Sequence, residues 1–430
     1  MHIRTHRLPG LILTDHEFSV PLDHALPDGE HITAFAREAV APDKEQTDLP
    51  WLVFFQGGPG SGAPRPQGKT GWLKKALETY RVLLLDQRGT GLSTPVNYQT
   101  LARFATPQAQ ADYLKHFRAD SIIRDAEMIR RQLLGQHSRW SVLGQSYGGF
   151  CVTHYLSAAP EGLSKAIITA GLPPLDRPAQ DVYRATYRQV IKNNQRYYDR
   201  YPDDVQRARE IVDHIATHEV RLPNGDRLSP RRFQQLGLYF GASDGFEKVH
   251  YLLEKAFVKG PAGREIGYPF LRGFENTFIF QTNPIFAVLH ESIYCQQAAS
   301  NWAAGSVRDQ YPEFELSPDK PVFFTGEMIY PWMFDEYKYL RPMKEAAEIL
   351  AAYDGWPRLY DMTVLRANTV PCAAAVYYND MYVERTYSEE TAQNIQGIKL
   401  WVTNEYEHNG LRADGEKVLG RLLDMLKEEI

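Results

Sequence analysis

Trp-Ser-Val-Leu-Gly-Gln-Ser-Tyr-Gly-Gly occupies residues 140–149 and contains a Gly-x-Ser-x-Gly pattern directly after a short apolar run. The run, the turn and the largely apolar residues 150–156 predict a strand, a sharp turn and a buried helix. Glycines two positions before and after Ser146 let the backbone turn tightly, so the serine hydroxyl is expected to be exposed at the turn. The helix N-terminus behind it would offer free N–H groups to an oxyanion. Taken alone, the pattern also fits an ordinary surface turn.

A second glycine cluster follows a strand-like apolar run at residues 51–55 and reads Gln-Gly-Gly-Pro-Gly at residues 56–60. Glycines at a strand end allow backbone N–H groups to approach a ligand closely, although the same composition suits a plain turn. In hydrolases with a Gly-x-Ser-x-Gly turn, a loop at this place supplies the second oxyanion donor. We therefore predict an oxyanion hole formed by the backbone N–H groups of Tyr147 and of Gly57 or Gly58.

The pattern of strands and helices predicts a mostly parallel sheet. Residues 9–40 contain apolar runs separated by a proline- and glycine-containing turn, which predicts an antiparallel opening. Further strands are predicted at 81–85 and 166–171, and apolar residues spaced by three and four positions predict a helix over 119–136. Strands that alternate with helices favour a parallel sheet with helices on both faces.

The character of the chain changes after Pro173, where helical patterns dominate up to about residue 365. The sheet pattern returns at 371–378 and 398–403, and a terminal helix is predicted at roughly 413–428. We therefore predict the first part of an α/β core at 1–172, a large and mainly helical cap insertion at 173–365, and the second part of the core at 366–430.

Three chemically complementary residues follow predicted strands: Ser146, Asp380 and His408. A serine hydroxyl is a weak nucleophile until an imidazole accepts its proton, and a carboxylate must hold that imidazole in the right tautomer. The chain order serine, aspartate, histidine is the order of α/β-hydrolases. Asp354 and Asp361 are competing acids, but they lie in helical or irregular context and rank below Asp380.

The chain resembles the prolyl aminopeptidases, also called proline iminopeptidases, a group of serine peptidases with an α/β-hydrolase fold. The resemblance spans most of the chain. The chain is most similar to the larger subgroup of this family, because it has the long insertion and the C-terminal motif. The motifs that carry it lie at 57–60, 86–93, 144–149, 290–295 and 404–408. Two departures from the smaller members are Gln56 in place of a histidine and Tyr378-Asn379 in place of a glycine-containing turn before the acid.

The resemblance implies a serine exopeptidase that releases an N-terminal proline through an acyl-enzyme, without metal or cofactor. Such an enzyme must recognise the cationic imino group, and carboxylates over an apolar pocket would do so. Glu291 matches a family motif for amine recognition, and Glu327 is the second candidate acid; either could instead pair with an arginine of the cap. An esterase, an amidase or an aminopeptidase of broader specificity stays open as an alternative, and a non-catalytic binding protein is a weaker one. The acid that an epoxide hydrolase or dehalogenase needs at position 146 is absent.

The composition and charge of the chain indicate which binding partners and which cellular compartment to expect. The formal net charge of −5 and the absence of a basic stripe argue against nucleic acid and anionic membranes as partners. No run approaches the length of an apolar membrane span, the N-terminus lacks a signal-peptide core, and only three cysteines occur. A cytoplasmic protein without a disulfide framework or metal site is expected. The sequence leaves a homo-oligomer open.

Overall fold

The computed structural model describes residues 2–261 and 263–427, and these hold eleven β-strands and eighteen α-helices. The strands are β1 (His2–Leu8), β2 (Leu11–Pro21), β3 (His31–Val40), β4 (Trp51–Phe55), β5 (Arg81–Asp86), β6 (Trp140–Gln145), β7 (Leu163–Thr169), β8 (Phe257–Gly260), β9 (Gly263–Ile266), β10 (Cys372–Tyr377) and β11 (Ile398–Thr403). The helices are α1 (Gly71–Ala76), α2 (Tyr98–Leu101), α3 (Pro107–Leu114), α4 (Ala119–Leu134), α5 (Tyr147–Ala158), α6 (Ala179–Arg200), α7 (Asp203–Thr217), α8 (Pro230–Gln234), α9 (Gly245–Leu253), α10 (Tyr268–Glu275), α11 (Ile285–Leu289), α12 (Ala303–Arg308), α13 (Met333–Glu336), α14 (Lys344–Ala352), α15 (Met362–Arg366), α16 (Arg385–Gln393), α17 (Gly410–Ala413) and α18 (Gly415–Lys427).

Nine strands form one sheet in the order β1-β2-β3-β5-β4-β6-β7-β10-β11. Strands β1, β2, β3 and β5 pair antiparallel, whereas every pairing from β5 to β11 is parallel. The predicted antiparallel opening and mostly parallel sheet are therefore confirmed. Because parallel strands share one direction, the ends of β4, β6 and β10 lie at the same edge of the sheet.

Buried strands place alternate side chains on opposite faces of this sheet. In β4, Val53 and Phe55 join one hydrophobic core, and Leu52 and Phe54 join the other. The apolar faces of α4 and α5 pack in the first core, and those of α1 and α18 pack in the second. Strand β4 is thus covered on both sides, which explains its continuous apolar sequence.

The cap lies between β7 and β10 in the chain, and in its described residues it adds no strand to the nine-stranded sheet. It consists of helices α6–α14, all of α15 except Arg366, short 3-10 helices and the hairpin β8–β9. Its interior is aromatic: the ring of Tyr197 stacks on that of Phe240 at 4.6 Å and meets that of Phe324 edge-on at 6.0 Å. The domain boundaries at 172/173 and 365/366 remain our proposal.

Several details differ from the sequence predictions. Strand β1 and the hairpin β8–β9 were not predicted, and both are polar strands whose exposed side chains give a weak signal. The motif at residues 290–295 follows α11 and forms a 3-10 helix, Glu291–Tyr294. The terminal helix ends at Lys427 in the described residues, and position 428 of its predicted range lies outside them. No helix described here is both long and apolar enough to span a bilayer.

Candidate active site

Ser146 sits at the turn between β6 and α5, with φ 56° and ψ −126°. A positive φ is strained for a non-glycine residue and clusters at functional sites. The turn is tight because a Cβ at Gly148 would lie 1.9 Å from the carbonyl oxygen of Phe55. Only glycine fits at position 148, where the first turn of α5 lies against the end of β4. The motif therefore brings the serine close to the loop that follows β4.

His408 contacts Asp380 through a 2.7 Å hydrogen bond between imidazole Nδ1 and carboxylate Oδ2. The other oxygen of Asp380, Oδ1, accepts the backbone N–H groups of Tyr382 at 2.9 Å and Val383 at 3.0 Å. Both side chains are buried. Burial alone would lower the pKa of His408, but the charge and hydrogen bond of Asp380 outweigh it and raise that pKa. The geometry favours the tautomer with its proton on Nδ1 and a free lone pair on Nε2.

The competing acids are placed elsewhere. Asp361 caps α15, where its Oδ1 accepts the N–H groups of Thr363 at 2.8 Å and Val364 at 3.3 Å. Asp354 is exposed, as is Asp361. Of the three candidate acids, Asp380 is the one that contacts His408.

Ser146 and His408 line the same cavity, whose volume is about 730 Å³. Among the described residues no hydrogen bond joins Ser146 Oγ to the imidazole; His408 Nε2 lies 3.5 Å from the side-chain nitrogen of Gln145. Hydrogen bonds between nucleophile and base are often loose before substrate binds. The serine and the imidazole therefore share one cavity, where Nε2 of His408 lies beside the side-chain nitrogen of Gln145.

The predicted oxyanion loop runs directly against the nucleophile. A Cβ at Gly57 would lie 2.8 Å from the Cβ of Ser146, and Gly57 and Gly58 both line the cavity. Gln87 donates from its side-chain nitrogen to the carbonyl oxygen of Gln56 at 2.9 Å and so braces the loop. The motif at residues 86–93 thus supports the loop.

Glu327 lines the cavity together with Ser146 and His408. Its side chain is 15 % exposed, and no hydrogen bond to its carboxylate lies within the described residues. Its nearest basic group is His290 Nε2 at 3.9 Å, but burial lowers the pKa of His290 to about 3, so that ring is neutral at pH 7. Burial raises the pKa of Glu327 to about 7. The charge of His408 lowers this pKa, and the charge of Asp380 raises it. The cavity therefore contains an acid without a cationic partner.

Glu291 has a different environment from Glu327. Its two carboxylate oxygens accept the backbone N–H groups of Ala303 at 2.9 Å and Ala304 at 2.8 Å, at the start of α12. Burial raises its pKa to about 7, and these hydrogen bonds oppose the shift. Glu291 is not among the described residues that line the cavity. Both acids nevertheless act on the buried hydroxyl of Tyr183, whose pKa is raised by burial first and then by Glu291 and Glu327.

Comparison with known proteins identifies the relatives of this chain. A family model described as alpha/beta hydrolase fold matches residues 50–220. A proline iminopeptidase of Aeromonas sobria is 50 % identical over 422 residues, covering 98 % of this chain and 98 % of that protein. The chain belongs to the proline iminopeptidase family. The proline iminopeptidase aneH of Aspergillus aculeatus is 35 % identical over 435 residues, covering 99 % of this chain and 96 % of its own length.

Among solved structures, a proline iminopeptidase of Mycobacterium smegmatis aligns with a TM-score of 0.47 at 13 % identity, covering 96 % of this chain and 98 % of that one. The family assignment therefore rests on the sequence relatives. It confirms the resemblance that the motifs indicated and the α/β-hydrolase fold class.

Two residues of this candidate site were missed at the sequence level. Gln145 lies between the oxyanion loop and the imidazole, and Tyr382 packs its ring edge-on against His408 at 4.6 Å. A local signal existed for Tyr382, since aspartate side chains often accept the N–H group two residues ahead. No such signal existed for Gln145, because its role depends on contacts between distant loops.

Proposed function

We propose that this chain is a serine exopeptidase that releases an N-terminal proline from peptides. Family membership supports the reaction class, and the observation that carries the specificity is the unpaired carboxylate of Glu327 in the cavity of Ser146 and His408. A buried acid without a cation is costly unless a ligand supplies one. The secondary ammonium of an N-terminal proline is such a cation.

In the proposed reaction, Ser146 Oγ attacks the carbonyl carbon of the first residue while His408 Nε2 accepts the hydroxyl proton. The N–H groups of Tyr147 and of Gly57 or Gly58 stabilise the oxyanion. The protonated imidazole then donates its proton to the leaving amine, which leaves a prolyl ester on Ser146. Water attacks this ester by the same steps in reverse, and proline is released. Asp380 holds the imidazole throughout.

Recognition of the terminal amine also explains why an enzyme of this kind would cut one residue from the end. Because Glu327 is fixed in the cap and Ser146 in the core, only a carbonyl at a set distance from the cation reaches the nucleophile. A blocked or internal proline would leave Glu327 unpaired. The predicted contact of Glu291 with the amine stays a prediction. Because both of its oxygens already accept N–H groups, we expect Glu327 to contribute more to amine binding than Glu291 does.

The test compares arylamides of proline, N-acetylproline and alanine on the wild-type protein and on Ser146→Ala. We expect rapid cleavage of the proline arylamide only, and a loss of about four to six decades of kcat in Ser146→Ala with an unchanged fold. Equal cleavage of the acetylated substrate would contradict amine recognition. Equal cleavage of the alanine substrate would favour the broader aminopeptidase, and a tenth of wild-type activity in Ser146→Ala would remove the serine from its role.

The three cysteines are buried and free. A cytoplasmic location, a homo-oligomeric state and the lack of nucleic-acid and membrane partners stay predictions.

A further inference from the structure

The cap makes a second set of contacts with the site, on the loops that carry the proposed base. These contacts come from residues 238–243 of the cap, which span the end of a 3-10 helix, Gln235–Gly241, and the turn after it. They reach the two core loops that follow β10 and β11. We call residues 238–243 the cap segment.

One contact runs through Tyr382. Its hydroxyl donates to the carbonyl oxygen of Leu238 in the cap segment, while its ring meets the imidazole of His408 at 4.6 Å and an interplanar angle of 79°. Its backbone N–H also donates to Asp380 Oδ1 at 2.9 Å. A single residue thus touches both members of the Asp380–His408 pair and the cap.

The fit at this contact is close. A Cβ at Gly241 would lie 2.2 Å from Cζ of Tyr382, so the cap segment lies directly against the phenol ring. A side chain at position 241 could be accommodated only by moving the ring, and the ring packs on His408. The absence of a side chain at Gly241 is therefore required for the observed position of the imidazole.

The remaining contacts fall on three consecutive residues centred on His408. The backbone N–H of Glu407 donates to Ser243 Oγ at 3.3 Å, and that of His408 donates to the carbonyl oxygen of Gly241 at 3.0 Å. Asn409 Oδ1 accepts from the backbone N–H of Ser243 at 2.8 Å and from its hydroxyl at 2.9 Å. The histidine loop is therefore paired with the cap segment along its length.

The segment itself is anchored in the cap. Asn193 of α6 donates from its side-chain nitrogen to the carbonyl oxygen of Phe240 at 3.1 Å. On the same helix, Arg196 donates to Glu407 Oε1 at 2.8 Å. Helix α6 thus holds both the cap segment and the residue before His408, so a shift of the cap would move the histidine loop.

We propose that Tyr382 and Asn409 are positioning residues through which the cap fixes the His408 imidazole against Asp380. The cap then does more than cover the cavity, because it completes the support of the catalytic base. Such support matters because general-base catalysis depends on a geometry held to fractions of an ångström. This inference rests on the proposed role of His408 as the base.

The first test is Tyr382→Phe, which removes the hydroxyl that reaches Leu238 and keeps the ring. With an ester substrate that lacks an amine, we expect kcat to fall about tenfold with KM unchanged, as one lost hydrogen bond to a buried carbonyl allows. The fall for proline arylamide should be the same. Tyr268→Phe is the matched control, because Tyr268 is a cap tyrosine that is 67 % exposed.

The pH profile separates positioning from a general effect on folding. The charged groups that act on His408 are Asp380, Glu327 and Arg412, and none of them changes in Tyr382→Phe. If the imidazole loosens from Asp380, the contact that raises its pKa weakens, so the acid limb of kcat/KM for the ester should move to lower pH. If Tyr382→Phe instead reduced the fraction of correctly folded protein, kcat and the number of serines titrated by a fluorophosphonate would both fall. The acid limb of kcat/KM would then stay at its wild-type pH.

The second test compares Asn409→Ala with Asn409→Asp. Alanine removes the oxygen that accepts both Ser243 donors, so kcat should fall about tenfold, whereas aspartate keeps that acceptor and should restore most of kcat. The proposal would be overturned if Tyr382→Phe had the kcat and the acid limb of the wild type. It would also be overturned if the two Asn409 variants had equal kcat. His408→Ala distinguishes the two hypotheses: if it is active, the proposed function fails; if it is inactive while Tyr382→Phe is normal, only the positioning role fails.

Discussion

Replacing Glu327 with glutamine removes the negative charge that the cavity presents to a substrate amine, and it keeps the size of the side chain. In the free enzyme, the basic group within 4 Å of this carboxylate among the described residues is the neutral His290, at 3.9 Å. With substrate bound, it would form a largely buried ion pair. Breaking such a pair by removing one partner costs about 3–5 kcal/mol.

The lower end of that range applies, because the Glu327 side chain is 15 % exposed and water screens part of the interaction. A loss of about 3 kcal/mol corresponds to about two decades in kcat/KM for proline arylamide. The rate of inactivation by a fluorophosphonate, which carries no amine, should change by less than about threefold. The two rates measured on the same preparation separate amine recognition from damage to the nucleophile.

The same variant should be more stable than the wild type at high pH. The folded protein holds the Glu327 proton to about pH 7, against an ordinary pKa of 4.5, so ionisation costs stability. This cost is absent below about pH 4.5, grows as the pH rises and is complete above about pH 7; at 1.36 kcal/mol per pH unit it reaches at most about 3 kcal/mol. Urea unfolding at pH 4 and pH 8.5 should show nearly equal stability at the first pH and a more stable Glu327→Gln at the second.

Glu315→Gln is the matched control, since Glu315 is a cap acid that is 67 % exposed and lies 3.7 Å from Lys320. It should change neither the rates nor the stability by a measurable amount. If Glu327→Gln cleaves proline arylamide as fast as the wild type, the amine is held elsewhere. If both rates fall together, Glu327 supports the catalytic residues and the argument from its missing partner is wrong.

Three further predictions concern other residues of the site. Asp380→Asn should cost about four decades of kcat with the fold retained, whereas Asp361→Asn should be nearly silent because asparagine also caps helices; the reverse order would reassign the acid. Glu291→Gln should lower kcat/KM for proline arylamide by less than about one decade, and a fall of two decades with unchanged fluorophosphonate inactivation would place its carboxylate on the amine. Gly148→Ala should destabilise the fold by about 3 kcal/mol or more in urea unfolding, since its Cβ would meet a backbone oxygen at 1.9 Å; a wild-type midpoint would contradict the packing argument.

The core of the fold was predictable because its signals are local. Apolar runs such as 51–55 and 140–143 mark strands buried on both faces, and a polar or glycine-rich turn after each one marks the edge where a site can form. Ser146, Asp380 and His408 all follow such runs, so the sequence places them near one edge before any contact is known.

The cap could not be predicted at the same level. Its contacts depend on packing between residues far apart in the chain: Ser243 and Asn409 are 166 positions apart. Glu291 and Glu327 look alike in the sequence, since each is an acid among apolar residues, yet one caps α12 and the other faces the cavity. Which acid lacks a partner is a property of the tertiary structure, and no periodicity or motif records it.

The most direct test of the whole account is to identify the covalent intermediate. The wild-type protein is mixed with a proline aryl ester, quenched in acid within milliseconds, digested and analysed by mass spectrometry. The account predicts a transient mass increase of one prolyl residue on the peptide that contains Ser146, absent with N-acetylproline ester and absent in Ser146→Ala. A burst of product without any adduct on Ser146, or an adduct on another residue, would contradict it.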